Sequence, residues 1–144
     1  MTHLDRGHYA KKHPFDRKID QKIAGAVKEH TSNGEISCAS AFSIVKEFDI
    51  SPEEVGFTID SLEITLAKCQ LGLYGYGPHR KIITPANAVS PELEEAIRES
   101  LVNDRLPCIA AWEIASRLEV RKMQVSSACE ALKVKIASCQ LGAF

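Results

Sequence analysis

Apolar residues recur along this chain at intervals of three and four, in short blocks separated by Gly, Pro and Asn. Ile23, Ala26 and Val27 form one stripe, and Leu93, Ala96, Ile97 and Leu101 another. Ala41, Ile44, Val45 and Phe48 follow the i, i+3, i+4, i+7 spacing of a half-buried helix, as do Ala111, Ile114, Ala115 and Leu118. Val55, Ile59 and Leu62, with Val125, Cys129 and Leu132, make a third pair of stripes. The pattern predicts six helices: openers starting near 21 and 91, second helices over 39–48 and 109–118, and third helices over 52–64 and 122–134. Start signals agree. Ser90 is a natural N-cap, Pro91 suits the first helical position, and Glu92, Glu94 and Glu95 place negative charge in the first turn. Ser51, Pro52 and Glu54 spell a capping box with proline at its start. Between first and second helices, the breaks NGEISC and NDRLPC carry Gly34 and Pro107, and Glu35–Cys38 and Arg105–Cys108 read as short strands.

The blocks come in pairs because the chain resembles itself. CQLG occurs at 69–72 and at 139–142, and a shift of 70 aligns 21–74 with 91–144 without a gap. Thirteen of the 54 aligned positions are identical, among them Ala26/Ala96, Cys38/Cys108, Ile44/Ile114 and Val55/Val125. The expected organisation is a basic N-terminal arm (1–20), unit 1 (21–74), a Gly- and Pro-rich linker or wing (75–90) and unit 2 (91–144). The CQLG motif reads as structural, its glycine marking a turn or a close backbone approach.

Helix, short strand, helix, three-residue turn, helix and extended apolar tail is the order of a winged helix-turn-helix. Residues 111–130, AWEIASRLEVRKMQVSSACE, resemble the signature of that superfamily. Ala115 is the small residue where two helices cross, Leu118 and Val120 flank the turn, and Val125 and Ala128 anchor the third helix. Glu119 departs from the pattern, standing where glycine is common, and a left-handed backbone there strains a residue with a Cβ. The resemblance implies a mainly α fold with small β wings, built as two tandem three-helix units. Residues 80–83 are the candidate return strand of a wing in unit 1.

Charge separates the two copies. The 144-residue chain has a net charge of −1, 44% hydrophobic and 26% charged residues, which fits a globular protein and excludes a uniformly basic coat protein. Residues 1–22 hold six Lys/Arg against three Asp, whereas 23–74 carry three basic and eight acidic residues. In a DNA-reading helix-turn-helix the start of the third helix enters the major groove, where side chains must donate to phosphates and base edges. Unit 2 offers Arg117, Arg121, Lys122, Gln124, Ser126 and Ser127 there, with Lys133 and Lys135 just beyond. Unit 1 offers Glu53, Glu54 and Asp60, which repel phosphate, and Phe57 beside Gly56, which suits a protein contact. The expectation is therefore a small DNA-binding transcriptional regulator with unit 2 as the reader.

A second reading keeps the same scaffold without DNA, as a protein-interaction or cysteine-ligand module. Four of the five cysteines pair at the repeat offset, and Cys38, Cys69, Cys108 and Cys139 are the candidate thiolate ligands of a zinc ion or an iron–sulfur cluster. No C-x-x-C spacing supports that set, and buried structural thiols are the simpler account, with no cofactor. His3, His8 and His13 lack the i, i+4 spacing of a helical metal pair. No phosphate-binding glycine loop, G-x-S-x-G or H-E-x-x-H is present, so no enzyme is expected. No apolar run of 18 residues occurs, and the first 18 residues lack an apolar core, so neither a membrane partner nor a secretory leader is expected and a reducing cytoplasm is. Homodimers and protein partners remain open.

Overall fold

The computed structural model describes residues 17–76 and 81–143. Among these residues six helices and four three-residue strands follow one another as α1 (Gln21–His30), β1 (Glu35–Ser37), α2 (Cys38–Phe48), α3 (Pro52–Ser61), β2 (Thr65–Ala67), α4 (Pro91–Glu99), β3 (Arg105–Pro107), α5 (Cys108–Arg117), α6 (Lys122–Leu132) and β4 (Lys135–Ala137). The fold is mainly helical with a few short strands. The third helices end earlier than the periodicity predicts because left-handed residues, Glu63 (φ 55°) and Lys133 (φ 59°), turn the chain toward β2 and β4.

The described residues divide into two compact units, 17–69 with 140–143, and 70–76 with 81–139. These bounds differ from the expected 21–74 and 91–144. In each CQLG motif the division falls between the Cys and the Gln, so unit 1 contains the second motif's Gln-Leu-Gly and unit 2 contains the first motif's.

In unit 1, Asp20 caps α1, its Oδ1 accepting from Lys22 N at 2.8 Å and Ile23 N at 3.4 Å. Asn33 and Gly34, both left-handed (φ 53° and 77°), form a two-residue turn across which Ser32 and Glu35 exchange backbone hydrogen bonds of 2.9 and 3.0 Å. Two consecutive positive φ angles are the signature of a type I′ turn, for which Asn-Gly is the preferred sequence. Strand β1 then runs parallel to β2 in the register Glu35↔Thr65, Ile36↔Leu66, Ser37↔Ala67. A parallel pair needs a crossover, which α2 and α3 supply. Val27, Ile36, Ala41, Ile44, Val55, Ile59, Leu66 and Leu141 are buried together in this unit. Each of the larger side chains contributes about 1.5–3 kcal/mol by leaving water.

Unit 2 uses the same local devices. Ser90 Oγ accepts from Leu93 N at 3.2 Å to cap α4. Asn103 and Asp104 (φ 52° and 63°) make the tight turn, and β3 runs parallel to β4 with Leu106 opposite Ile136. Left-handed residues stand at 33, 34, 49, 63, 68 and 72, and again 70 positions on at 103, 104, 119, 133, 138 and 142. The strands correct one expectation. Among the described residues the four strands pair in parallel within each unit, β1 with β2 and β3 with β4. Residues 81–83 adopt no strand, although Ile82 N donates to Gly72 O at 2.9 Å. Arg80 lies outside the described residues.

At Gly56 in α3 an added Cβ would overlap the carbonyl oxygen of Leu141, with Leu141 C only 2.8 Å away, and backbone has little room to yield. Alanine favours a helix over glycine by about 1 kcal/mol, so an isolated α3 would gain from the exchange. In the folded chain Gly56→Ala is expected to lower stability by about 2 kcal/mol or more, read by urea unfolding. Glu119 is left-handed (φ 55°) in the α5–α6 turn. Glu119→Gly is expected to raise stability by about 0.5–1 kcal/mol in the same assay, relief of Cβ strain exceeding the added chain entropy.

Candidate nucleic-acid interface

The α5–turn–α6 segment of unit 2 holds most of the residues that the sequence nominates. Leu118 N donates to Ile114 O at 2.9 Å and Val120 N to Ala115 O at 3.0 Å, while left-handed Glu119 reverses the chain between them. Ala115 is buried. The turn sets Arg117, in the last turn of α5, and Arg121, the N-cap residue of α6, in solvent. Gln124 is also exposed. Its Oε1 accepts from the Arg121 backbone N at 3.0 Å and from Arg121 Nε at 3.4 Å, which caps α6 and holds the guanidinium along the helix start. Lys133 and Lys135 are exposed at the other end of α6.

Other candidates are placed differently. Ser126 is 0% exposed and its hydroxyl lies 3.5 Å from Lys122 O, so it is unavailable to a ligand. It faces inward with Val125, Ala128 and Cys129 because its small side chain permits close packing on that side of α6. Lys122 is half-buried, its Nζ 4.5 Å from the centroid of the Trp112 ring, an attraction between a cation and the negative face of an aromatic system. Ser127 is half-buried, and its carbonyl accepts from Ala86 N at 3.0 Å.

In unit 1 the corresponding helix offers no reading face. Residues Val55–Asp60 of α3 are all buried. Phe57, expected at the surface, is 2% exposed, and the Arg17 guanidinium carbon sits 3.7 Å from its ring centroid. Arg17 also pairs with the Glu54 carboxylate at 2.9 Å, which occupies the acid that the capping-box sequence assigns to the helix start. Ser51 Oγ keeps its half of the cap, accepting from Glu54 N at 3.2 Å.

All five cysteines are thiols outside any disulfide. Cys38 and Cys108 are the first residues of α2 and α5 and are buried, as are Cys69 and Cys129, while Cys139 is half-buried. No group of three or more His, Cys, Asp or Glu side chains stands ready to hold a metal ion among the described residues, and Cys38, Cys69, Cys108 and Cys139 are not gathered into one. His3, His8 and His13 lie outside the described residues. No described helix is long and apolar enough to cross a membrane.

The sequence reading overlooked residues 81–88, assigned to a linker or wing. They belong to unit 2 and lie along α6: Lys81 Nζ meets Glu130 Oε1 at 2.7 Å, Ala86 N reaches Ser127 O, and Ile83 is 7% exposed. Of the adjacent apolar pair, Ile83 is the packed member, whereas Ile82 is 48% exposed. Comparison of the chain with protein families, with curated proteins and with solved structures gave no match.

Burial pushes the Cys129 thiol from an ordinary 9.0 up to about 12, with the neighbouring Glu130 carboxylate adding to the rise. The native state therefore holds this proton more tightly than the unfolded chain does. Stability from this group is intact below about pH 9 and is lost as pH climbs toward 12, by at most about 1.4 kcal/mol per pH unit. Urea unfolding of the native chain across pH 8–11 is expected to show this extra alkaline loss, and Cys129→Ala is expected to remove it.

Proposed function

We propose that unit 2 binds nucleic acid as a helix-turn-helix module, with Arg117, Arg121, Lys133 and Lys135 on phosphates and Gln124 at the groove edge. The observation that carries this reading is the left-handed turn at Glu119, which joins α5 to α6 and leaves two guanidinium groups exposed at the start of the third helix. Arginine forks match phosphate oxygens, and glutamine can pair with an adenine edge. The recurrence of elements and left-handed positions at a spacing of 70 supports the duplication of an ancestral winged-helix-like unit, after which one copy kept a basic corner and the other became acidic. On this reading the protein is a DNA-binding regulator that works in the cytoplasm without a cofactor.

A second reading, a protein-interaction module, rests on a different observation. Val102 (58% exposed) and Ile109 (53%) are large apolar side chains in solvent where unit 1 carries Ser32 and Ala39. Such residues suit a partner contact, and Val102→Ser with Ile109→Ser would release a partner or a second copy while leaving DNA binding intact.

Fluorescence anisotropy with a labelled mixed-sequence duplex tests the DNA reading. Affinity is expected to fall with salt with a log–log slope of about −3 to −4, the value for about four phosphate contacts. Arg117→Glu with Arg121→Glu is expected to weaken binding at least ten-fold, and Lys46→Glu in unit 1 to leave it within about two-fold. Absence of binding at about 50 mM salt overturns the proposal.

A further inference from the structure

Residues 81–88 occupy a position that matters for α6. Two contacts place this segment along the helix: the Lys81–Glu130 ion pair at 2.7 Å and the hydrogen bond from Ala86 N to Ser127 O at 3.0 Å. An open groove of about 310 Å³, lined by Ile82 and Ile83 and by Arg121, Met123, Gln124 and Ser127, runs beside them. Met123, Ser127 and Glu130 are spaced i, i+4, i+7, so the segment follows a single face of α6. The face beside it, Gln124 and Ala131 next to Arg121, is exposed.

The widths decide what this means. An α-helix with its side chains is about 10–12 Å across, and the major groove of B-DNA is about 12 Å wide. A helix alone fills the groove. An extended chain at its side adds about 5 Å, the spacing of neighbouring extended chains, and the pair is too wide to enter.

We propose that residues 81–88 form an autoinhibitory strap that keeps α6 from seating fully in a DNA groove, a proposal that rests on the DNA-binding reading of unit 2. With the strap in place the protein touches backbone phosphates through its exposed arginines and lysines and reaches the groove edge only through Gln124. With the strap lifted, Met123 and Ser127 join Gln124 in facing the base edges. The attachment suits a reversible element. The ion pair is exposed, the Ala86 amide bonds a carbonyl already inside a helix, Ile83 is the buried anchor, and the groove beneath is open.

The test uses the full chain, a mixed-sequence duplex of about two helical turns, and two variants that leave net charge unchanged. Ala86→Pro deletes the amide that bonds Ser127 O, and Ile83→Ser removes the apolar anchor. Amide exchange over residues 81–88, together with retained protection in α4 and α5, reports release of the strap without unfolding. Both variants are expected to exchange faster in the strap and to bind DNA at least ten-fold tighter, with a steeper salt slope. If the wild-type chain binds DNA and a released strap leaves affinity unchanged or weaker, the strap is overturned and the DNA reading stands. If the wild-type chain does not bind at about 50 mM salt, the DNA reading falls and the strap falls with it.

Discussion

A helix that fills a core on most of its sides has little surface left for a ligand, and that constraint governs the third helix of each unit. In α3 it is complete: Val55–Asp60 are all buried, and at Gly56 the backbone comes so close to Leu141 that no side chain fits between them. In α6 it is partial. Val125, Ser126, Ala128 and Cys129 turn inward, and only the Gln124–Ala131 and Met123–Glu130 faces remain. The difference between a helix committed to packing and one with a face to spare is what separates the two units chemically.

Charge follows the same division. Where α3 begins, Glu53 and Glu54 favour the helix dipole and Arg17 closes over Phe57, so the charges of this region serve the fold. Where α6 begins, no acid stands in the first turn, and Arg121 is held by the Gln124 side chain in an open position. A cation at a helix start is unfavourable for the helix, so Arg121 costs stability where it stands. That cost, set beside the cap that orients it, favours a role for its guanidinium outside the fold.

Much of the architecture is legible in the chain. Ser90 with Pro91, Ser51 with Pro52 and the i, i+3, i+4 stripes mark where helices begin and which sides they bury, because capping and amphipathicity are local. The strain expected at Glu119 is there, since a three-residue turn between crossing helices leaves few backbone routes. Less was legible where neighbours come from far along the chain. Parallel pairing of Ile36 with Leu66 depends on a crossover of two helices and not on any local signal. Helical periodicity puts Phe57 and Ser126 at the surface because it identifies one buried face, whereas both side chains are buried. Among the candidate residues, Arg117, Arg121, Gln124, Lys133 and Lys135 are exposed. Ser126 is not, and Lys122 and Ser127 are partly engaged by Trp112 and by residues 81–88.

The division of the chain inside each CQLG motif bears on how the molecule is made. Unit 1 takes in residues 140–143, more than seventy positions after its own last strand ends at Ala67. A ribosome releases residues in order, so the first unit waits for its final piece until nearly all of the second has been synthesised. Its α3 side stays unsealed through that interval, open to chaperones and to premature association. Early folding of the N-terminal half is thus provisional, and its completion is timed by translation of the far end.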